Sequence, residues 1–254
     1  MSSLSIAWIV FGCVFGGALL GMFLRTVLPQ NHLNAESKDV VKLGMGLIAT
    51  MAALVLGLLT GSAKSTFDVR DAELKGSAAD IILLDRVLTH YGPETKEIRD
   101  QIQRAIAYKL AATWPETGSA ATRMDTSENT PAVERIEDEI RALSPQNDAQ
   151  RALQSRALQV SGELMRTRWL VFGQEAGNAI QIPLLVVLVL WLAALFASFG
   201  LFAPANGTVI AVLAVAALSV SGAIFLILEM NRPFEGLVKI SPAPLRYALS
   251  HLGQ

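Results

Sequence analysis

The chain has 254 residues, 52% of them apolar and 17% charged, with a mean hydropathy of +0.43 and a formal net charge of −1. That composition excludes an ordinary soluble domain, and the near-neutral charge leaves no basic surface for a nucleic-acid partner. The average conceals a division: residues 1–24, 43–63 and 176–228 carry no charge, whereas 64–175 hold 15 Lys and Arg against 18 Asp and Glu.

A membrane-spanning helix needs about 20 mostly apolar residues, because backbone groups in hydrocarbon must pair within the segment and a central charge costs roughly 2.5–3.5 kcal/mol. The first such stretch runs from Leu4 to Leu24 and ends at Arg25. It lacks the basic start and small-residue cleavage site of a signal peptide, so it is expected to remain in the mature protein. Cys13, the single cysteine, excludes an intrachain disulfide and is expected to be a small buried apolar residue. The second span, Leu43 to Ala63, ends at Lys64. The turn residues Pro204-Ala205-Asn206-Gly207 divide the last uncharged run into spans of Ile180–Phe202 and Thr208–Leu228.

The charged stretch reads as helices. Leu74, Ala78, Ile81, Leu84, Leu88 and Tyr91 recur at helical spacing before the Gly92-Pro93 break, and Ile98, Ile102, Ile106, Leu110 and Trp114 repeat the pattern. Residues 115–130 lack periodicity and are expected to form a mobile loop. A third helix starts at Thr130-Pro131 and carries Val133, Ile136, Ile140 and Leu143. A fourth starts at Ser144-Pro145 and carries Leu153, Ala157, Val160, Leu164 and Val171 toward the third span. Each apolar stripe has to be buried, in a bundle within one protomer or between protomers.

The expected fold is therefore all-α: a transmembrane hairpin in 1–63, a helical insert in 64–175, a second hairpin in 176–230 and a C-terminal segment in 231–254. Lys64, Arg70, Lys75, Arg166, Arg168, Arg232, Lys239 and Arg246 flank the spans on the insert side against Arg25, Lys38 and Lys42 on the other. That asymmetry puts the insert and both termini in the cytoplasm.

No catalytic constellation is present. His32, His90 and His251 are isolated in sequence, Gly44, Gly46, Gly57 and Gly61 lack the context of a phosphate loop, and Glu137-Asp138-Glu139 reads as a solvated face without calcium-loop spacing. No enzyme, metal or cofactor is implied. The second span is the informative segment. Gly46, Thr50, Ala53, Gly57, Thr60 and Lys64 follow at three- and four-residue steps as one small, partly polar face, suited either to close helix packing or, with Met51, Leu54 and Leu58, to lining a pore on an oligomer axis. Lys42 and Lys64 at its mouths favour anions, whereas Asp68 and Asp71, one and two turns beyond Lys64, favour cations, so both signs remain open. At the last span exit, Glu229 faces three readings: a charge reaching to the interface, a partner for Arg232, or a partner for a neighbouring protomer. Pro233 ends that helix and Phe234 turns back as an interfacial anchor.

Three features resemble the bacterial bestrophin-like domain family. They are Gly57-Leu58-Leu59-Thr60-Gly61-Ser62-Ala63-Lys64 running into Phe67-Asp68, Asn231-Arg232-Pro233-Phe234-Glu235-Gly236 with the following Ile240-Ser241 and Pro244-Leu245, and the layout of two spans, long insert, two spans. The resemblance covers nearly the whole chain. It implies a homo-oligomer, a pentamer, in the bacterial inner (plasma) membrane, conducting small inorganic ions along the second span. No acidic cluster follows Gly236, and Met51, Leu54 and Leu58 stand where bestrophins have an aromatic neck, so calcium activation and chloride selectivity are not implied. The rival expectation is a non-conducting membrane scaffold whose insert recruits a partner. A transporter is disfavoured because no span carries a charge at mid-depth.

Overall fold

In a computed structural model of the chain, residues 2–29, 35–115, 130–177 and 182–253 are described, and their secondary structure is entirely helical. The helices are α1 (Ser3–Val27), α2 (Ala35–Tyr91), α3 (Lys96–Thr113), α4 (Thr130–Ala142), α5 (Asp148–Gly177), α6 (Ile182–Phe202), α7 (Gly207–Met230) and α8 (Ala243–His251). Four of them, α1, α2, α6 and α7, are long and apolar enough to cross a membrane. His32 and residues 116–129 of the expected loop lie outside the described residues.

Two compact units form, one from Met1–Phe67 with Asn178–Lys239, the other from Asp68–Gly177 with Ile240–Gln254. In the first, α1 packs along α6 and, less extensively, α7. The reason is a set of small residues. A Cβ on Gly17 would lie 2.6 Å from the Ala193 carbonyl oxygen, and Cβ atoms on Gly21 and Gly200 would strike the backbones of Ala197 and Ala18. Between apolar helices in lipid no hydrophobic force drives association, so this close backbone approach supplies the dispersion contact that does. Around it Val10, Val14, Leu188, Phe196, Ala217 and Ile224 are buried. The Arg25 guanidinium donates to the Ala203 carbonyl at the far end of the pair. Cys13, expected to be buried, is exposed on the outer side of α1, because the inward stripe of that helix falls on Val10, Val14 and Ala18.

In the second unit the insert stripes bury as their spacing predicts: Leu74, Ala78, Ile81, Leu84, Leu88 and Tyr91 of α2, Ile98, Ile102 and Leu110 of α3, Ile136 and Ile140 of α4, Ala157 and Val160 of α5. Ile106, Trp114, Leu143, Leu153 and Leu164 are half-buried. Gly92, at φ 141°, makes the break before a 3₁₀ turn at Pro93–Thr95. The Thr95 hydroxyl is buried and bonds to the Leu88 and Gly92 carbonyls. The start of α5 differs from expectation: Asn147, whose side-chain oxygen accepts the Gln150 N–H at 2.8 Å, outcompetes Ser144 as the cap, and the helix begins at Asp148. Helix α8, which has no counterpart among the expected elements, packs on α3, where the Trp114 indole donates to the Ile240 carbonyl at 3.0 Å.

Candidate functional site

An α-helix advances about 100° per residue, so α2 divides cleanly along its apolar segment. Ala52 and Ala63 are buried, and Met45, Ile48, Ala49, Val55, Leu56 and Leu59 are partly buried against the first unit's core. The other side stands open. Only 6% of the apolar window of α2 is buried, against 28–33% for the other three candidate spans.

Every residue expected to line a pore, namely Gly46, Thr50, Met51, Leu54, Gly57, Leu58 and Lys64, is exposed on that open side. Leu54 and Leu58 are exposed beside Thr50 and Gly57, so the small face and these two leucines share the open side. Cβ atoms on Gly46, Gly57 and Gly61 would meet nothing, so these glycines do not serve close packing within the protomer. That role falls to Gly17, Gly21 and Gly200. Between Lys42 and Lys64 the open side carries no charge. Its polar groups include the hydroxyls of Thr50 and Thr60, which donate back to the Gly46 and Leu56 carbonyls at 2.9 and 2.8 Å and turn only oxygen lone pairs outward.

The two ends are charged. Lys42, exposed, pairs with Asp39 at 3.7 Å, and the Lys64 ammonium lies 5.9 Å from the Phe67 ring centroid. Beyond it Asp68 is exposed, and Asp71 is bound at 2.6 Å by Lys75. Lys75 was not among the expected site residues, although its i,i+4 spacing from Asp71 was a usable signal. It offsets part of the acidic character of that end. A groove of about 430 Å³ opens beside α2, walled by Met45, Gly46 and Ala49 on one side and Phe199 and Phe202 of α6 on the other, with Lys42 also lining it.

The span exit is a second polar assembly. Glu229 is 5% exposed, so it does not reach to the interface. Its carboxylate accepts the Leu237 N–H at 2.5 Å and interacts with the Val238 amide, the Ser3 hydroxyl and, at longer range, the Arg232 charge. A Cβ on Gly236, whose φ is +81°, would lie 2.7 Å from the Glu229 carboxyl carbon, so the turn needs glycine both for its backbone and for space. Pro233 is buried beneath the turn and Arg232 is exposed. Phe234 is half-buried, while Leu237 is 82% exposed and is the more prominent apolar tip. Amides gathered on one carboxylate form a structural clamp rather than a reaction centre. Among the described residues no three His, Cys, Asp or Glu side chains cluster as metal ligands.

Residues 12–245 match the family described as the bestrophin-like domain. The fold is similar to two crystal structures of single-substitution variants of a bacterial bestrophin homologue from Klebsiella pneumoniae. One gives a TM-score of 0.64 at 16% identity, covering 99% of this chain and 97% of that one. The other gives 0.57 at 15% identity, covering 96% of each. At these identities the likeness is one of fold. No curated protein matches the chain.

Proposed function

Because this chain belongs to the bestrophin-like domain family, we propose that it is an oligomeric channel passing small inorganic ions passively through a pore lined by α2. The open side of that helix carries the reading. A span with 6% of its apolar window buried, where its neighbours reach 28–33%, has a surface that its own protomer does not cover. Ringed about an axis, Gly46, Thr50, Leu54 and Gly57 would face the lumen, with Met51 and Leu58 at its edge, Lys42 at one mouth and Lys64, Asp68 and Asp71 at the other. Small residues and hydroxyl oxygens let a partly hydrated ion pass, and the leucine ring forms the constriction. By the distribution of Lys and Arg, the Lys64 mouth, the insert and both termini are cytoplasmic in a bacterial plasma membrane. A homo-oligomer, taken as a pentamer, closes the ring.

The test is ion flux from liposomes containing purified protein. Chloride or potassium is expected to leak above the rate of empty vesicles, and Leu54→Ala is expected to raise the rate. If neither ion leaks and Leu54→Ala does not open the protein, the channel reading is lost and a non-conducting scaffold takes its place.

A further inference from the structure

We propose that the groove between α2 and α6 binds an anionic phospholipid, with an acyl chain between the helices and the phosphodiester held by Lys42 and Arg25. The site needs α2 and α6 to span a membrane and is independent of ion conduction. The two helices stand apart: α6 packs closely on α1, whereas α2 has few close backbone approaches to α6, and the space left is the groove of about 430 Å³. That volume falls within the roughly 300–1,000 Å³ typical of small-molecule sites. Met45, Gly46, Ala49, Leu195, Phe199 and Phe202 make its walls apolar. Walls of this kind give water too few polar partners, and hydrocarbon is what a bilayer offers at that depth.

Depth, charge and one hydroxyl select this ligand. Arg25 follows Leu24 at the end of the first uncharged run, Lys42 precedes Leu43 at the start of the second, and Ala203 follows the last residue of α6. All three therefore stand at one membrane interface. From there the groove follows residues 42–49 inward on α2 and 203 back to 195 on α6, about 10–12 Å at about 1.5 Å per residue. One leaflet's hydrocarbon is roughly 15 Å deep, so the groove matches the upper part of a chain from a single leaflet. Lys42 lines its outer end, and Arg25 donates to the carbonyl of Ala203, another lining residue, which brings both cations to that end. Asp39 holds Lys42 only weakly, at 3.7 Å with both side chains exposed. No carboxylate pairs with Arg25 among the described residues, and no acidic residue lines the groove. A guanidinium and an ammonium together suit phosphate oxygens through charge-assisted hydrogen bonds. Hydroxyls on apolar helices ordinarily bond back to their own backbone, as those of Thr50, Thr60 and Ser219 do. The hydroxyl of Ser198, in the groove wall, makes no hydrogen bond among the described residues. It lies about 7 Å deeper than Ala203 along α6, where the ester carbonyl of a phospholipid follows its phosphate, and it can donate to that carbonyl.

Lipid retention by the purified full-length chain in mild detergent tests the assignment. The probes are phosphatidylglycerol and phosphatidylcholine, each supplied in mixed micelles; bound lipid per chain is read by native mass spectrometry, alongside the melting temperature. A single phosphatidylglycerol per chain is expected to bind and to raise the melting temperature, with phosphatidylcholine at several-fold lower occupancy. Lys42→Gln is expected to cut that preference about fivefold, the effect of one basic side chain at an anionic lipid surface. Lys239→Gln, which removes an exposed cation elsewhere on the same unit, is expected to leave it unchanged. Ser198→Leu fills the groove and is expected to abolish retention of both lipids. Equal binding of the two lipids by the wild type, or an equal loss in Lys239→Gln, would mean general surface charge and overturn the proposal. Wild-type retention in Ser198→Leu would place the lipid elsewhere and overturn it too. So would excess inorganic phosphate reproducing the thermal shift, since the acyl chain would then contribute nothing. A protein that retains neither lipid, its groove covered by detergent or by a neighbouring chain, likewise removes the site, whether or not the protein conducts.

Discussion

Asp85, Asp80 and Glu229 are carboxylates drawn away from water, and each is accommodated differently. Asp85, 1% exposed, receives Arg99 through two hydrogen bonds, Nε at 2.7 Å and Nη2 at 3.1 Å, joining α2 to α3. Removing one member of such a pair leaves the other charge buried without compensation. Asp85→Ala is therefore expected to destabilise the fold by about 3–5 kcal/mol, read as a lowered midpoint of thermal unfolding followed by circular dichroism in detergent. Asp80 lacks a comparable partner: burial pushes its pKa above the ordinary carboxylate value, Glu163 adds repulsion, and Arg156 offsets part of both. A raised folded pKa means that the native state holds its proton more tightly than the unfolded chain. Its favourable contribution is present below the unfolded value and is lost as pH rises through the folded one. Asp80→Asn is expected to raise the melting temperature near neutral pH and to reduce the fall in stability as pH rises above the ordinary carboxylate value. An unchanged pH slope in the variant would contradict this assignment. Glu229 is satisfied by backbone amides eight and nine residues on. Its role was not legible in Glu229-Met230-Asn231-Arg232, where the nearest opposite charge is Arg232. Local charge spacing says nothing about a turn that folds back onto the carboxylate.

At the scale of the helices, the four apolar segments were readable directly. Expected spans of Leu4–Leu24, Leu43–Ala63 and Thr208–Leu228 fall inside helices Ser3–Val27, Ala35–Tyr91 and Gly207–Met230. Hydrocarbon thickness imposes a length on each segment independently of its neighbours, so composition suffices. The partner of each helix was not readable. Glycines occur in α1, α2, α6 and α7, yet Gly17 and Gly21 of α1 and Gly200 of α6 bring backbones together, whereas Gly12 and Gly16 of α1 and Gly46, Gly57 and Gly61 of α2 face open space. Gly21→Leu is accordingly expected to force α1 from α6 and to cut the yield of folded protein, measured by size-exclusion chromatography. Gly57→Ala has no atom to displace within the protomer and should leave the melting temperature nearly unchanged while altering ion flux. Equal loss of folded protein in both would show that α2 packs more tightly than its exposure indicates.

For the proposed channel, the charges flanking the apolar segment of α2 are expected to set which ions enter. Lys64 and Asp68 are the opposed charges nearest the apolar segment, and Asp71 beyond them is bound by Lys75. Lys64→Glu reverses one of them and is expected to shift the permeability ratio toward cations, measured as the reversal potential under a salt gradient across a planar bilayer. An unchanged reversal potential in a conducting variant would place Lys64 off the pathway. The all-α class, the four spans and the insert stripes follow from residue order alone, since burial in lipid or in a helix bundle demands local apolar runs at helical period. Which side of α2 lies open, the Glu229 clamp and the groove beside α6 required the folded chain. These features arise where residues distant in sequence meet, as Gly17 meets Ala193 and Met45 comes to share a groove with Phe199, and helical period is blind to such meetings.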